Sequence, residues 1–213
     1  YKKAYPYLKL LCDRVWVSTP YLSQKYALPD NSILPPIEPV KNSIDVVRCF
    51  YHGSSSHTQE WAFIVKFIHL AQLRFANTWF ELIGDHKLYK VAKNIPRVNI
   101  IHPMPWANYL KMTAGRSMDI GLVPLFESPF NLARSHCKLL DITRQNAVGI
   151  YSEQVSYSHE IKQMNAGLVV NNEMDVWLDA MASLLKQDRT FMLCNAKQLL
   201  NNKIESVQLQ DLF

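Results

Sequence analysis

No stretch of the 213-residue chain reaches the roughly 20 uninterrupted apolar residues that a membrane-spanning helix needs, and the N-terminus lacks the charged-then-apolar order of a signal peptide. A soluble, cytoplasmic domain is the expectation, with peripheral attachment at the inner face of a membrane left open. There is no Lys/Arg-dense run either: 23 basic residues are scattered among 18 acidic ones for a formal charge of +5, so no nucleic-acid partner is expected. That mild excess suits an enzyme holding a diphosphate as well as one docking on an anionic lipid surface. The four cysteines, Cys12, Cys49, Cys137 and Cys194, form no C-x-x-C pair and have no His at zinc-site spacing. They read as small apolar fillers in a reduced compartment. GxxxxGK[ST] and GxGxxG are both missing, which excludes a P-loop and the dinucleotide fingerprint. No Asp-x-Asp is present to hold a metal, and none is expected.

What is present is an apolar half of the chain, enough to bury a core, arranged as short apolar runs with helical stretches between them. The runs are Val46 to Tyr51, Trp79 to Gly84, Val98 to His102, Asp119 to Leu125 and Ala147 to Ser152, with AGLVV at 166–170 as an edge strand. Helical spacing covers Trp61 to Phe75, then HKLYKVAKN, WANYLKMTAGR, Arg134 to Gln145, Met174 to Gln187 and a C-terminal segment. This alternation predicts an α/β fold, a Rossmann-like doubly wound parallel sheet with helices on both faces. Before it, NSILPPIEPVKNS concentrates Pro and Ser and reads as an interdomain linker. The chain opens in mid-flow without Met, and an excised domain is the expectation.

In an open sheet of this kind ligands gather at the C-terminal ends of the strands, where helix N-termini point free N–H groups at phosphate. Three loops there carry candidates. After the first strand, Gly53 and the serines that start at Ser54 make a turn whose amides can approach a phosphate; a plain turn with Ser56 or Thr58 as cap and Glu60 nearby accounts for it equally. After the third, HPMPWANYL holds Met104 between two stiffening prolines, and its backbone can read a base edge. The alternative there is a helix start with Trp106 buried.

After the fourth strand, PFNLARSHCKLLD places Asn131, Arg134, Ser135 and Lys138 at a loop-to-helix junction. Arg134 and Lys138 stand four apart, on one face of a continuous helix, where two cations neutralise a diphosphate. Asp141, one turn on, can accept from two ribose hydroxyls, or form an ordinary exposed ion pair with Lys138.

In order along the chain, DRVWVSTPYLSQKY, NSILPPIEP, FYHGSSSHTQEW, MDIGLVPLFESPFNLARSHCKLLDITRQNAVGIYS and AGLVVNNEMDVWLDAMASLLKQD resemble the C-terminal half of GT-B-fold retaining glycosyltransferases, the large glycosyltransferase group 1 or family 4-like type. The resemblance implies that residues 1–30 are the tail of an N-terminal domain, with VWVST its last strand. It implies a linker at 31–45, a donor-binding domain at 46–190 and a C-terminal helix and tail at 191–213. It implies a nucleotide diphosphate sugar as donor, no other cofactor, and a glycan acceptor held mainly by a missing N-terminal domain, so that this fragment is inactive alone.

Gly53 matches the family's glycine turn, and His57 stands where a basic group is usual. Asp141 matches the second glutamate by its distance to Ser152, while the first, eight residues earlier, falls on Ala133. The resemblance therefore implies catalysis by Arg134 and Lys138, which stabilise the departing diphosphate. A GT-B nucleotide-sugar epimerase and a non-catalytic sugar-nucleotide module are the alternatives. A receiver domain is disfavoured because VVRCFYHG ends without an acidic pocket.

Overall fold

Six apolar runs become the six strands of one parallel sheet: β1 (Val47–His52), β2 (Thr78–Ile83), β3 (Val98–Ile101), β4 (Ile120–Val123), β5 (Val148–Ser152) and β6 (Gly167–Val170). The computed structural model describes residues 10–11, 24–26, 46–53 and 57–206, with backbone alone for Phe130 and 204–206. The chain divides into two compact units, Tyr1–Ser43 and Ile44–Phe213; the described residues of the first are two short helical pieces. The expected strand VWVST, the linker at 31–45 and residues 54–56, Ser54 among them, lie outside the described residues.

The strand order is β3-β2-β1-β4-β5-β6. Every pairing is parallel, with Phe50 opposite Glu81 on one side and Gly121 on the other. The connections run outward from β1 to β3 and then return to β4, so the topological switch falls between β1 and β4. A crevice opens there at the carboxyl ends of the strands.

Eight helices follow among the described residues: α1 (Thr58–Arg74), α2 (His86–Ala92), α3 (Trp106–Thr113), α4 (Pro129–Leu132), α5 (Cys137–Arg144), α6 (Ser158–Met164), α7 (Met174–Lys186) and α8 (Thr190–Ser206). Strand residues alternate between the two faces. Cys49, Tyr51, Phe80 and Leu82 pack under α1, α2 and α7, with Trp177 fully buried among them. Phe50 and Val123 pack on the opposite face with Leu139, Ile161 and Leu199 from α5, α6 and α8. The spacing of Trp61, Ile64, Phe67, Ile68 and Ala71 is the i, i+3, i+4 stripe that seats α1 on the sheet.

Three expectations are corrected. The helix predicted from Arg134 to Gln145 forms as α5 but starts only at Cys137, and residues 133–136 separate it from the short α4. The Ser128 hydroxyl starts α4 by accepting from the Asn131 N–H at 3.0 Å, and in the break beyond it the Arg134 carbonyl accepts from the Ser156 hydroxyl at 2.6 Å rather than from a following turn. The α1 cap position belongs to His57, not Thr58, and makes no side-chain cap bond. Only Cys49 is a core filler among the described cysteines, for Cys137 and Cys194 are exposed.

One cap is strong enough to test. The Asp85 carboxylate accepts from the Lys87 N–H at 2.8 Å and the Leu88 N–H at 3.4 Å, closing the N-terminus of α2. Asp85→Ala should lower unfolding free energy by about 1 kcal/mol in urea denaturation.

Candidate functional site

The end of β1 fixes the floor of the crevice. Burial of a parallel strand on both faces leaves little room for polar side chains, yet His52 ends β1 at 6 % exposure and Glu81 sits in β2 at 1 %. They answer one another: His52 Nε2 lies 3.2 Å from Glu81 Oε1, and Arg116 donates to Glu81 Oε2 at 2.6 Å. Burial works to raise the Glu81 carboxyl, but the hydrogen bonds from His52 and Arg116 outweigh it and hold the group near pKa 2. Burial lowers His52, against the pull of Glu81. The other ring nitrogen of His52 meets the Tyr109 hydroxyl of α3 at 3.1 Å.

On the far side of the crevice, the α4–α5 break positions the cations. The Asn131 side chain is buried, donating to the Phe126 carbonyl at 2.8 Å and to Glu60 Oε1 at 3.4 Å. Its oxygen accepts from Arg134 Nε at 2.9 Å. The Arg134 guanidinium then reaches His57 Nε2 at 2.9 Å. Arginine can only donate, so the His57 proton sits on Nδ1, which faces Glu60 Oε2 at 3.8 Å. Lys138 crosses the crevice from α5 and donates to the backbone carbonyl of His52. Burial first, and then the neighbouring Arg134 charge, push Lys138 down to about pKa 8.

The one-face helix geometry expected for Arg134 and Lys138 is therefore replaced by convergence: one comes from the break and the other from α5, and both line the same cavity with His57 and Ser135. His57 stands where a basic group is usual, but it carries no charge here. Burial, followed by the charges of Lys138 and Arg134, lowers it to about pKa 3, so it is neutral at pH 7.

This cavity, about 390 Å³, adjoins a second of about 230 Å³ walled by Met104, Trp106, Tyr109, His52 and Gly53, and Asp141 lines both. Asp141 accepts from Arg144 at 3.2 Å rather than pairing with Lys138, and its carboxyl is raised by burial against the pull of Lys138 and Arg144. Trp106 is not buried, as one reading had it, but 59 % exposed and stacked on Tyr109 at 5.3 Å between ring centroids. Gly53 lies against the wall so closely that a Cβ there would stand 2.8 Å from the Tyr51 hydroxyl and 3.1 Å from His57 Cβ. Met104 sits in the loop after β3 and Ser135 beside Cys137, their Oγ and Sγ 3.0 Å apart.

The sequence candidates thus fall into two adjoining cavities, with Asn131 behind them as support and Ser54 outside the described residues. Sequence reasoning passed over His52, Glu81, Tyr109 and Arg144. One signal was available: a lone acid inside the apolar run WFELI is out of place in a strand buried on both faces. Among the described residues no three His, Cys, Asp or Glu side chains are grouped to hold a metal ion. Nor is any helix there long and apolar enough to cross a membrane.

No family model matches the sequence, and no curated protein does. Solved structures match it across most of the chain. WaaG, a glycosyltransferase involved in lipopolysaccharide biosynthesis, aligns at 13 % identity over 88 % of this chain and 46 % of its own, with a TM-score of 0.54. The C-terminal domain of the glycosyl transferase group 1 family protein LpcC from Francisella tularensis aligns at 13 % over 74 % of this chain and 86 % of its own, with a TM-score of 0.57. A trehalose-6-phosphate structure from E. coli bound with UDP-2-fluoro glucose aligns at 11 % over 76 % and 41 %, with a TM-score of 0.58.

The fold is that of a GT-B C-terminal domain. The chain spans under half the length of WaaG but most of the isolated LpcC domain. The larger cavity takes its lining from the segments after β1 and β4, at the switch point of the sheet, and the smaller one from the ends of β1, β2 and β3.

Proposed function

We propose that this domain binds the nucleotide diphosphate sugar donor of a retaining glycosyltransferase, and that the parent protein transfers the sugar to an acceptor hydroxyl held by a further domain. The observation that carries the reading is the sequence of chemistries along the crevice. An apolar cavity with an exposed Trp106, a carboxylate at Asp141 and a cavity holding Arg134 and Lys138 follow one another in the order base, ribose, diphosphate. The bound UDP-2-fluoro glucose of one similar structure supports the same ligand class.

In this reading Asp141 accepts from the ribose hydroxyls, Gly53 lets the backbone approach the ligand, and Met104 edges the base. Arg134 and Lys138 face the negative charge that grows on the leaving diphosphate. Glu60 and Asn131 hold Arg134 in place from behind. In this reading the acceptor is held mainly by the further domain, so transfer requires the whole parent protein.

Calorimetric titration of the chain with UDP, GDP and ADP tests this directly. One of these nucleotides should bind, and Trp106→Ala should weaken it about tenfold through lost base stacking, leaving the thermal midpoint in place because the ring is exposed. Absence of binding by all three, or an unweakened Trp106→Ala protein, would sink the reading.

A further inference from the structure

Six of the 23 basic residues and none of the 18 acidic ones lie between Asp85 and Asp119, so this stretch carries a formal +6 and the remainder of the chain −1. The cations look scattered along the sequence because no two are adjacent. In the fold three of them belong to α2 and its C-cap, beside the edge strand β3, while Lys111 is on α3, whose Tyr109 meets His52 of β1.

Two of the six are engaged. Arg116 pairs with Glu81, and Arg97 donates to the Thr78 and Gln72 carbonyls. The other four are lysines, Lys87, Lys90, Lys93 and Lys111, and among the described residues none forms an ion pair. Three belong to α2 and its C-cap. At about 100° per residue the outward arc of α2 runs Tyr89, Lys93, Lys90, Lys87, Val91, opposite the buried Leu88 and Ala92. A lysine ridge is thus flanked by two exposed apolar side chains, Tyr89 at 40 % and Val91 at 57 %. Tyr89 is braced by His102, their rings stacked at 6.0 Å.

We propose that this α2 ridge docks the protein on an anionic lipid bilayer. The charge complementarity is diffuse: lysine ammonium groups are compact point charges on flexible stems, suited to a fluid sheet of headgroups. Bidentate phosphate reading in a nucleic acid would call on arginine forks, and the arginines of this region are held by the protein itself. The flanking Tyr89 and Val91 add apolar contact at the headgroup boundary, as interfacial helices do. None of Lys87, Tyr89, Lys90, Val91 and Lys93 lines either cavity, so the inference stands or falls without the nucleotide site.

Vesicle co-sedimentation of the whole chain tests it, using phosphatidylcholine alone and phosphatidylcholine with roughly 30 % phosphatidylserine. The protein should bind the anionic vesicles only, and release from them at about 0.5 M salt, where the Debye length has shrunk to a few ångströms. Replacing Lys87, Lys90 and Lys93 together with Gln should lower partitioning on the order of 100-fold, near fivefold per lysine, with nucleotide binding and the thermal midpoint retained. No binding by the wild type, equal binding to neutral vesicles, or undiminished binding by the triple variant would overturn the proposal. So would tighter, equally lysine-dependent binding to a homopolymeric RNA. The salt dependence of the wild type decides the matter should the triple variant fold poorly.

Discussion

Lys138→Ala should weaken nucleotide diphosphate binding on the order of 100-fold at pH 7, because a charge-assisted contact made in a desolvated cavity is removed. The same group should give wild-type binding a pH dependence. In the unliganded domain burial and Arg134 lower Lys138 to about pKa 8. An incoming diphosphate favours the charged ammonium, so its bound-state pKa lies higher. Affinity is therefore full below pH 8 and falls as pH rises above it, by up to about tenfold per unit. Lys138→Arg, whose guanidinium does not deprotonate in this range, should keep measurable affinity and lose the slope. Calorimetric dissociation constants from pH 7 to above 9 for the three proteins check this. A wild-type profile that is flat across pH 8 would remove Lys138 from contact with the ligand.

The sheet was legible because each parallel strand is a continuous apolar run bounded by polar turns, and the six runs lie within a residue or two of the six strands. The loops after β1, β3 and β4 were legible as the place to look, since ligands of an open parallel sheet gather at the carboxyl ends of its strands. What periodicity does not carry is how distant side chains meet. Lys138 reaches the His52 carbonyl and Arg134 reaches His57 across more than seventy residues of sequence. The same limit hid the break at Arg134: its stretch has helical composition, and the group that takes up the Arg134 carbonyl is the hydroxyl of the distant Ser156. His57 shows the converse. Sequence places it where a basic group is usual and says nothing of its charge, which burial beside two cations removes, leaving a neutral acceptor.

That neutrality should make the domain sensitive to acid well above the carboxylate range. An unfolded His57 takes up its proton near pH 6.5, and the folded one does not until about pH 3, so through that window the unfolded state holds the extra proton. Stability is full above pH 6.5 and falls as pH drops, by about 3 kcal/mol between pH 6.5 and 4 from this residue. His52, lowered by burial, acts in the same direction. Glu81, held near pKa 2, withdraws its contribution only below about pH 4.5. Glu60 and Asp141, both raised by burial, oppose the trend because their folded forms protonate first. Urea denaturation between pH 7.5 and 4 should therefore show a steep loss in the wild type and a flatter one in His57→Gln, whatever the variant's stability at pH 7. Equal slopes would place the titration elsewhere. Saturating nucleotide diphosphate should flatten the wild-type slope as well, since its charge would offset Lys138 and Arg134 and let His57 accept a proton in the folded state.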